Sequence, residues 1–283
     1  MGSINIPLLD FGGKGQPLHF AHANGYPPDC YVNLIKQLTP HYHVFSMLQR
    51  PLWPDTMPEE INDWYPLTDD FLRLLDEQHI TSVIGIGHSM GGIVTLRAAL
   101  HDPSRFKALV LIDPVLLPPY MILFWSLIKH LGFGYRFHPL VLSALRRRRQ
   151  FDSIESLMRG YRRKPIFKYF DDHNLMTLVK GLIKPCLDGN FELQYSPEWE
   201  ARIYVTGIWH DWDLWRNLPK LKIPLMIIRG SETDTFLAST ARRVKRIHPS
   251  TRLETIERST HLVPIEKPDE VSRLILSFLE EIL

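Results

Sequence analysis

Cysteine is scarce in this sequence, and neither sign of charge is in large excess. Cys30 and Cys186 are the two cysteines among 283 residues, which excludes a framework of several disulfides, favours a reducing compartment and leaves a single bridge open. The formal net charge is +2, too small by itself to indicate binding to nucleic acid. We therefore expect no nucleic-acid partner.

Segments that direct a chain into or across a membrane are also missing. Residues 1–6 lack the basic start and apolar stretch of a secretory signal, and Ile6 stands where a myristoylation motif has Ser or Thr. The nearest approach to a membrane span, 115–131, is interrupted by two prolines and Lys129. These features predict a soluble, cytoplasmic protein.

Metal-binding and nucleotide-binding patterns are absent as well. His19 and His22 lack the spacing of metal ligands, and the sequence shows no cluster of His, Asp or Glu that would bind an ion. Gly85 and Gly87 are not followed by the third glycine and later acidic residue of a dinucleotide-binding turn. We expect neither a metal nor another cofactor.

What the chain does contain is an alternation of strand-like and helix-like segments. Hydrophobic residues at 45% and charged residues at 23% suit a globular chain with a sizeable core. In the first part, strands are predicted at 18–22, 44–47, 82–87 and 108–113, and helices at 30–38, 59–79 and 91–100. Such alternation predicts an α/β fold, with a mostly parallel sheet covered by helices on both faces.

The alternation stops between Pro114 and Trp215, where the sequence shows no convincing strand. It resumes with strands at 224–230 and 252–256 and helices at 238–247 and 269–283. The simplest interpretation is an α/β core formed by residues 1–114 plus 216–283. The intervening residues 115–215 would then form a helical insertion that caps the core.

The segment Gly87-His88-Ser89-Met90-Gly91 joins a buried strand to a helix. It has the G-x-S-x-G form, in which a serine occupies a sharp strand-to-helix turn and its hydroxyl projects above the sheet. A side chain at either glycine would clash in so tight a turn. Ser89 is therefore the candidate nucleophile, and a small residue in a structural turn is the alternative.

Two later loops supply partners for that serine. A serine hydroxyl needs a base to accept its proton, and the base is usually a histidine oriented by a carboxylate. Asp234 follows the strand 224–230 and His261 follows the strand 252–256, so both belong at the same edge of the sheet as Ser89. The chain order Ser, Asp, His is the one found in α/β hydrolases.

On these motifs the chain resembles the α/β-hydrolase superfamily, in its capped serine-hydrolase branch. The resemblance covers nearly the whole chain outside the insertion. Residues 259–268 are similar to the family's histidine loop, and residues 224–234 are similar to the strand and loop that bring in its acid. The resemblance implies catalysis by Ser89, Asp234 and His261 without a cofactor.

The position of the carboxylate has two alternatives. Asp113 ends the strand 108–113, where some members of the family place their acid, and Glu232 lies in the same loop as Asp234. Asp113 is followed by Pro114, a pair that is more typical of a turn. We rank Asp234 first, Asp113 second and Glu232 third.

The stretch His22-Ala23-Asn24-Gly25-Tyr26-Pro27 resembles the family's oxyanion loop, although two residues separate its histidine from its glycine. The resemblance implies that the backbone N–H of Asn24 stabilises the negative oxygen of the transition state, with that of Tyr26 as the alternative. The second donor is the N–H of Met90, the residue after the nucleophile.

In capped members of the family the insertion roofs the active site. Aromatic residues are common in the predicted cap, and together they favour an apolar pocket for a hydrophobic acyl or aryl substrate. They are Tyr120, Phe124, Trp125, Phe133, Tyr135, Phe137, Trp199, Tyr204, Trp209, Trp212 and Trp215. The run Arg146–Arg149 is interpreted as a solvated helix face, a contact with an anionic lipid surface, or a ligand for a substrate carboxylate.

The expected activity is hydrolysis of small-molecule carboxylic esters through an acyl-enzyme. A lipase acting at lipid surfaces, a carbon–carbon bond hydrolase and a perhydrolase use the same triad, and His88 before the serine resembles the esterase and lipase pattern. The alternative of another class is a catalytically inactive binding module, which would usually have lost a member of the triad. The sequence leaves the oligomeric state open.

Overall fold

A seven-stranded, mostly parallel sheet forms the centre of the molecule in a computed structural model that describes residues 6–207 and 211–283. The strands of this sheet and of a smaller one are β1 (Leu8–Gly12), β2 (Pro17–Ala21), β3 (His43–Met47), β4 (Val83–His88), β5 (Phe106–Ile112), β6 (Gln150–Phe151), β7 (Ile183–Pro185), β8 (Phe191–Leu193), β9 (Leu225–Gly230) and β10 (Arg252–Ile256). The order across the large sheet is β1-β3-β2-β4-β5-β9-β10. Strand β1 runs antiparallel to β3, and the other neighbouring strands of this sheet are parallel. The predicted α/β fold is confirmed.

Helices connect the strands and cover the sheet. They are α1 (Val32–Leu38), α2 (Tyr65–Glu77), α3 (Met90–His101), α4 (Pro119–His130), α5 (Gly134–Phe137), α6 (Pro139–Leu145), α7 (Ile154–Arg162), α8 (Asp172–Leu182), α9 (Pro197–Thr206), α10 (Trp212–Asn217), α11 (Ala238–Ile247), α12 (Val263–Glu266) and α13 (Pro268–Ile282). In α2, Leu67, Phe71 and Leu74 are buried at the spacing that aligns side chains on one helix face. That face packs on the sheet.

Both faces of the sheet are apolar because its central strands are buried on each side. Along β5, Leu109 and Leu111 belong to one apolar cluster, whereas Val110 and Ile112 belong to another. Successive side chains of a strand point to opposite faces, so the two clusters are the two layers of the core. Burial on both sides explains why these strands are apolar runs rather than alternating sequences.

The segment between β5 and β9 differs in part from the prediction. It carries the helices α4 to α10, but it also contains a small antiparallel sheet in the order β6-β8-β7, where the sequence showed no convincing strand. The segment is mostly helical, as expected, but the expectation that it holds no strand is wrong. These strands are two or three residues long, too short for an alternating pattern to stand out in the sequence.

The inserted segment, residues 115–215, packs into both layers of the core. Ile122 and Trp215 join the cluster that contains Leu109, and Leu178 joins the cluster that contains Val110. A separate small cluster forms within the segment from Val141, Ala144 and Ala201. The division into 1–114 plus 216–283 and 115–215 remains a prediction from chain order, since the two parts share their apolar interior.

Within the two described ranges, every helix is too short or too polar to cross a membrane. Both cysteines are free thiols, so the bridge that the sequence left open is not formed.

Candidate active site

Ser89 occupies the turn between β4 and α3. Its backbone has φ 55° and ψ −118°, a region that side chains rarely adopt. The flanking glycines make the turn possible: a Cβ on Gly87 would lie 2.4 Å from the carbonyl oxygen of Gly91, and a Cβ on Gly91 would lie 2.2 Å from that of Ala21. The turn therefore holds the serine hydroxyl at the carboxyl edge of the sheet.

His261 lies in the loop between β10 and α12, and it reaches Ser89. Its Nε2 is 2.9 Å from the Ser89 hydroxyl oxygen, a distance at which the hydroxyl donates a hydrogen bond to the ring. Glu266 holds this loop in place. Its carboxylate accepts hydrogen bonds from the backbone N–H of Thr260 at 2.7 Å and from the Thr260 hydroxyl at 2.8 Å. The imidazole is thus presented to the serine by a braced loop.

The carboxylate beside His261 is Asp113, not Asp234. The Nδ1–H of His261 donates to Asp113 Oδ1 at 2.9 Å, and the Asp113 side chain is completely buried. Asp234 is exposed, and its carboxylate accepts a hydrogen bond from the hydroxyl of Thr235. Glu232 is exposed as well, and it binds Lys168 and Tyr169. The ranking that put Asp234 first is contradicted by this geometry.

The end of β9 and the loop after it contribute hydrogen-bond donors to Asp113 instead of an acid. Gly230 donates its backbone N–H to Oδ2 at 2.9 Å. The Thr233 hydroxyl donates to Oδ1 at 2.6 Å, and the Phe236 N–H donates to the same oxygen at 3.3 Å. With His261, these donors fix the orientation of the carboxylate and compensate for its removal from water.

Chain order could not separate the two acids. The sheet places β5 between β4 and β9, so the loops after β5 and β9 meet at one edge, close to the serine. Asp113 and Asp234 both come after Ser89 and before His261 in the sequence. The backbone bends at Asp113, where φ is 42°, and the side chain at this bend meets the imidazole of His261.

A chain of hydrogen bonds behind the nucleophile involves a residue that sequence reasoning did not single out, Tyr31. The Tyr31 hydroxyl accepts from the N–H of Ala23 at 3.2 Å and donates to His88 Nδ1 at 2.8 Å. The opposite ring nitrogen, Nε2, donates to the carbonyl oxygen of His261 at 2.8 Å. Burial, followed by the nearby charge of His261, holds the pKa of His88 well below its usual range. His88 is therefore a neutral residue that links Tyr31 to the loop of His261.

The predicted oxyanion donors, the backbone N–H groups of Asn24 and Met90, belong to the loop after β2 and to the first turn of α3. Met90 is the first residue of α3, so its N–H has no acceptor within the helix. The loop after β2 touches that helix end, because a Cβ on Gly91 would meet the carbonyl oxygens of Ala21 and His22 within 2.6 Å. The alternative donor, Tyr26, already gives its N–H to the carbonyl oxygen of Ala23 at 3.3 Å.

The arginine run does not form a solvated helix face. It follows the end of α6, and Arg147 is bonded to the carboxylate of Glu200 and to the hydroxyl of Tyr161. Burial works against the charge of Arg147, yet Tyr161 and Glu200 hold the pKa of its guanidinium above its ordinary value. The backbone carbonyl of Glu200 accepts a hydrogen bond from the Asn24 side chain at 3.0 Å, which ties this ion pair to the candidate oxyanion loop.

The aromatic residues of the inserted segment have divergent surroundings. Trp199 and Trp215 are buried in the core, and Tyr204 is partly buried beside Asn24. The side chain of Trp125 is half-buried, while Trp209 lies outside the described residues. The others are exposed: Tyr120, Phe124, Phe133, Tyr135, Phe137 and Trp212. The expectation that the whole group forms a pocket is wrong for these exposed members.

No group of three or more His, Cys, Asp or Glu side chains in the described part of the chain is arranged to hold a metal ion. The arrangement around Ser89 instead suits nucleophilic chemistry: a hydroxyl, an imidazole nitrogen within hydrogen-bond distance of it, and a buried carboxylate form one hydrogen-bonded series.

Comparison with known proteins gives consistent results. A family model described as the alpha/beta hydrolase family matches residues 20–274. Among curated relatives, the esterase YbfF of Escherichia coli (strain K12) is 23% identical over 219 residues, which cover 77% of this chain and 75% of that protein. The (E)-2-((N-methylformamido)methylene)succinate hydrolase of Acinetobacter baylyi is 19% identical, with 95% of this chain and 92% of that one covered.

Among solved structures, the crystal structure of E-2-(acetamidomethylene)succinate hydrolase is similar to this chain with a TM-score of 0.78. The two chains are 18% identical, and the alignment covers 99% of this chain and 96% of the other. The likeness extends through the inserted segment as well as the sheet.

Proposed function

This chain belongs to the α/β hydrolase family, and from that premise we propose that it is a serine hydrolase of carboxylic esters that works through an acyl-enzyme. The observation that carries the proposal is the unbroken series Ser89–His261–Asp113, with both hydrogen bonds at 2.9 Å. In this proposal Asp113 takes the role that the sequence assigned to Asp234.

The first half of the reaction uses the serine as nucleophile. Ser89 Oγ attacks the ester carbonyl while His261 Nε2 accepts the hydroxyl proton, so that no free alkoxide forms. The imidazolium that results is stabilised by the buried carboxylate of Asp113, which also fixes the tautomer with its proton on Nδ1. His261 then returns the proton to the departing alcohol oxygen, and the acyl group remains on Ser89.

The second half repeats these steps with water. His261 removes a proton from water, the resulting hydroxide attacks the acyl carbonyl, and the bond to Ser89 Oγ breaks as the serine regains its proton. In both halves the carbonyl oxygen gains negative charge. The backbone N–H groups of Asn24 and Met90 are the proposed donors to that oxygen, and one such donor contributes about a hundredfold or more in rate.

The proposed substrate carries a hydrophobic acyl or aryl part. Support comes from Tyr204 rather than from the exposed aromatic residues of the inserted segment. Tyr204 is partly exposed and lies beside Asn24 in the candidate oxyanion loop. Its ring offers apolar contact area for the substrate.

An inactive binding module of this fold would not need its nucleophile, base and acid to be aligned. A fluorophosphonate probe, which reacts with activated serines, separates the two cases. We expect the wild-type protein to be labelled and Ser89→Ala to remain unlabelled, with exposed Ser143→Ala as the matched control that keeps its label. An unlabelled wild type, or a label that survives Ser89→Ala, would contradict the proposal.

The substrate class is tested with a panel of nitrophenyl esters of increasing acyl length. We expect kcat/KM to rise with acyl length because each buried methylene stabilises the bound ester by about 0.8 kcal/mol. Equal values for all lengths would reject the hydrophobic acyl part while leaving the serine mechanism intact. Activity that persists in Ser89→Ala would reject the mechanism itself.

A further inference from the structure

Helix α4 presents apolar side chains to solvent on one face. Tyr120, Leu123, Phe124 and Leu127 are each more than half exposed, and Leu131, just past the helix end, continues the series. At about 100° per residue these positions fall within an arc of roughly 100°. The opposite side of the helix is anchored in the core by Ile122, which is fully buried. The helix is thus held in place with an apolar stripe facing outward.

The same character extends over the next two helices: α5 contacts α4, and α6 contacts α5. Exposed large apolar residues are concentrated here: of fifteen in the described part of the chain, ten lie between positions 120 and 145. They are Tyr120, Leu123, Phe124, Leu127, Leu131, Phe133, Tyr135, Phe137, Leu140 and Leu145. We call this surface the α4–α6 face. Patches of exposed apolar residues on this scale mark sites of interaction.

The charge of this region is of one sign. Residues 114–151 contain six cationic side chains and no Asp or Glu; the cations are Lys129, Arg136, Arg146, Arg147, Arg148 and Arg149. Arg147, Arg148 and Arg149 pair with acids that lie further along the chain. Arg136 and Arg146 are exposed, and neither forms an ion pair with any residue that the structure describes.

We propose that the α4–α6 face docks on an anionic lipid surface. The apolar stripe of α4 would enter the boundary between head groups and acyl chains, while Arg136 and Arg146 would bind lipid phosphates. No described helix is long and apolar enough to span a bilayer, so the contact is peripheral. This proposal is independent of the catalytic one, because it rests on residues outside the triad.

A second copy of the chain is a poorer occupant. In a twofold dimer the same patch meets itself, so the cations of one copy would face those of the other with no acidic residue between 114 and 151 to neutralise them. Like charges brought together in an apolar interface are unfavourable. A lipid surface supplies negative charge and apolar volume together, and for that reason it fits the face better.

Vesicle flotation tests the proposal. The Ser89→Ala full-length protein, chosen so that lipid is not hydrolysed, is mixed with vesicles of phosphatidylcholine alone or with 30% phosphatidylserine. We expect binding to the mixed vesicles and at least about tenfold weaker binding to the neutral ones. Binding should also fall when salt is raised to 0.5 M, since screening weakens contacts between exposed charges.

Two pairs of variants locate the contact. Leu123→Ser with Phe124→Ser should weaken binding about tenfold or more, whereas Met57→Ser with Leu187→Ser, also exposed but outside the face, should not. Arg136→Gln with Arg146→Gln should weaken it by a similar factor, whereas Arg242→Gln with Arg246→Gln on α11 removes the same charge and should not.

Three outcomes would overturn the proposal. The first is that the protein binds neither kind of vesicle. The second is that the variants of the α4–α6 face and their matched controls lose binding equally. The third is a stable dimer in sedimentation that dissociates in Leu123→Ser with Phe124→Ser. Because all the substituted residues are exposed, unchanged thermal unfolding shows that a loss of binding does not come from misfolding.

Discussion

The carboxyl edge of the large sheet buries a charged side chain, whereas the α4–α6 face exposes apolar side chains to solvent. At the sheet edge, Asp113 is completely buried and accepts four hydrogen bonds from His261, Gly230, Thr233 and Phe236. On the α4–α6 face, Phe124 is 56% exposed. At the sheet edge the buried carboxylate has hydrogen-bond partners within the chain. On the α4–α6 face, apolar surface remains in contact with water. The contrast supports both proposals: the sheet edge is already arranged for catalysis, whereas the α4–α6 face is suited to contact with a lipid surface outside the chain.

The largest effect on stability is expected from a substitution on the buried side of α4, and the matching substitution on its exposed side should have little effect. We expect Ile122→Ala to lower the free energy of unfolding by about 2–5 kcal/mol, because Ile122 is fully buried and its loss leaves a cavity. Phe124→Ala, two residues along the same helix, should change it by about 0.5 kcal/mol or less. Urea denaturation measures both. Similar values would show that Phe124 is part of the core, and the comparison would fail.

A second prediction concerns the buried histidines that lead to the sheet edge. Burial lowers the pKa of His19 to about 3 and that of His22 to about 4. Each ring accepts a backbone N–H at Nε2, from Met47 at 3.1 Å and from Gln49 at 3.2 Å, and so must stay neutral in the fold. Below the ordinary histidine pKa of 6.5, the unfolded chain binds protons that the folded chain does not.

Stability is therefore full above pH 6.5 and falls as the pH drops from 6.5 towards 4, by about 1.4 kcal/mol per pH unit for each histidine. In His22→Gln the slope between pH 6 and 4.5 should decrease by about that amount. Chemical denaturation at three pH values gives the slope. A slope that does not change in the variant would show that His22 is not kept neutral by the fold.

The smallest effect in this series comes from the hydrogen bonds that orient Asp113. Thr233→Val removes a hydroxyl that lies 2.6 Å from the carboxylate, and we expect kcat to fall about tenfold while KM stays close to its wild-type value. Thr235→Val is the matched control, because that hydroxyl binds exposed Asp234, and its kcat should stay within about twofold. An equal fall of kcat in the two variants would show that the Thr233 hydroxyl does not orient Asp113.

Much of the fold could be predicted because its signals are local. Buried parallel strands give continuous apolar runs, and the turn at Ser89 needs glycines on both sides, so β4, the turn and α3 are visible in the sequence. His261 could also be identified from the sequence, because residues 259–268 are similar to the histidine loop of the family. The short strands β6 to β8 carry no such pattern, since two or three residues are too few to alternate.

The choice of acid could not be predicted because it depends on distance across the sheet rather than along the chain. Asp113 and Asp234 have the same order relative to Ser89 and His261, and both follow strands that end at the same edge. What separates them is burial and direction, which come from the bend at Asp113 and from the donors at the end of β9 and in the loop after it. The role of Tyr31 was hidden for the same reason, since His88, to which its hydroxyl donates, lies 57 residues further along the chain.

The most direct test of the account compares Asp113→Asn with Asp234→Asn in ester hydrolysis. If Asp113 orients His261, replacing its carboxylate by an amide should lower kcat by about 10⁴-fold, because the amide favours the wrong tautomer of the ring. Asp234→Asn should stay within about threefold of wild type. The reverse result, with Asp113→Asn active and Asp234→Asn inactive, would contradict the central claim.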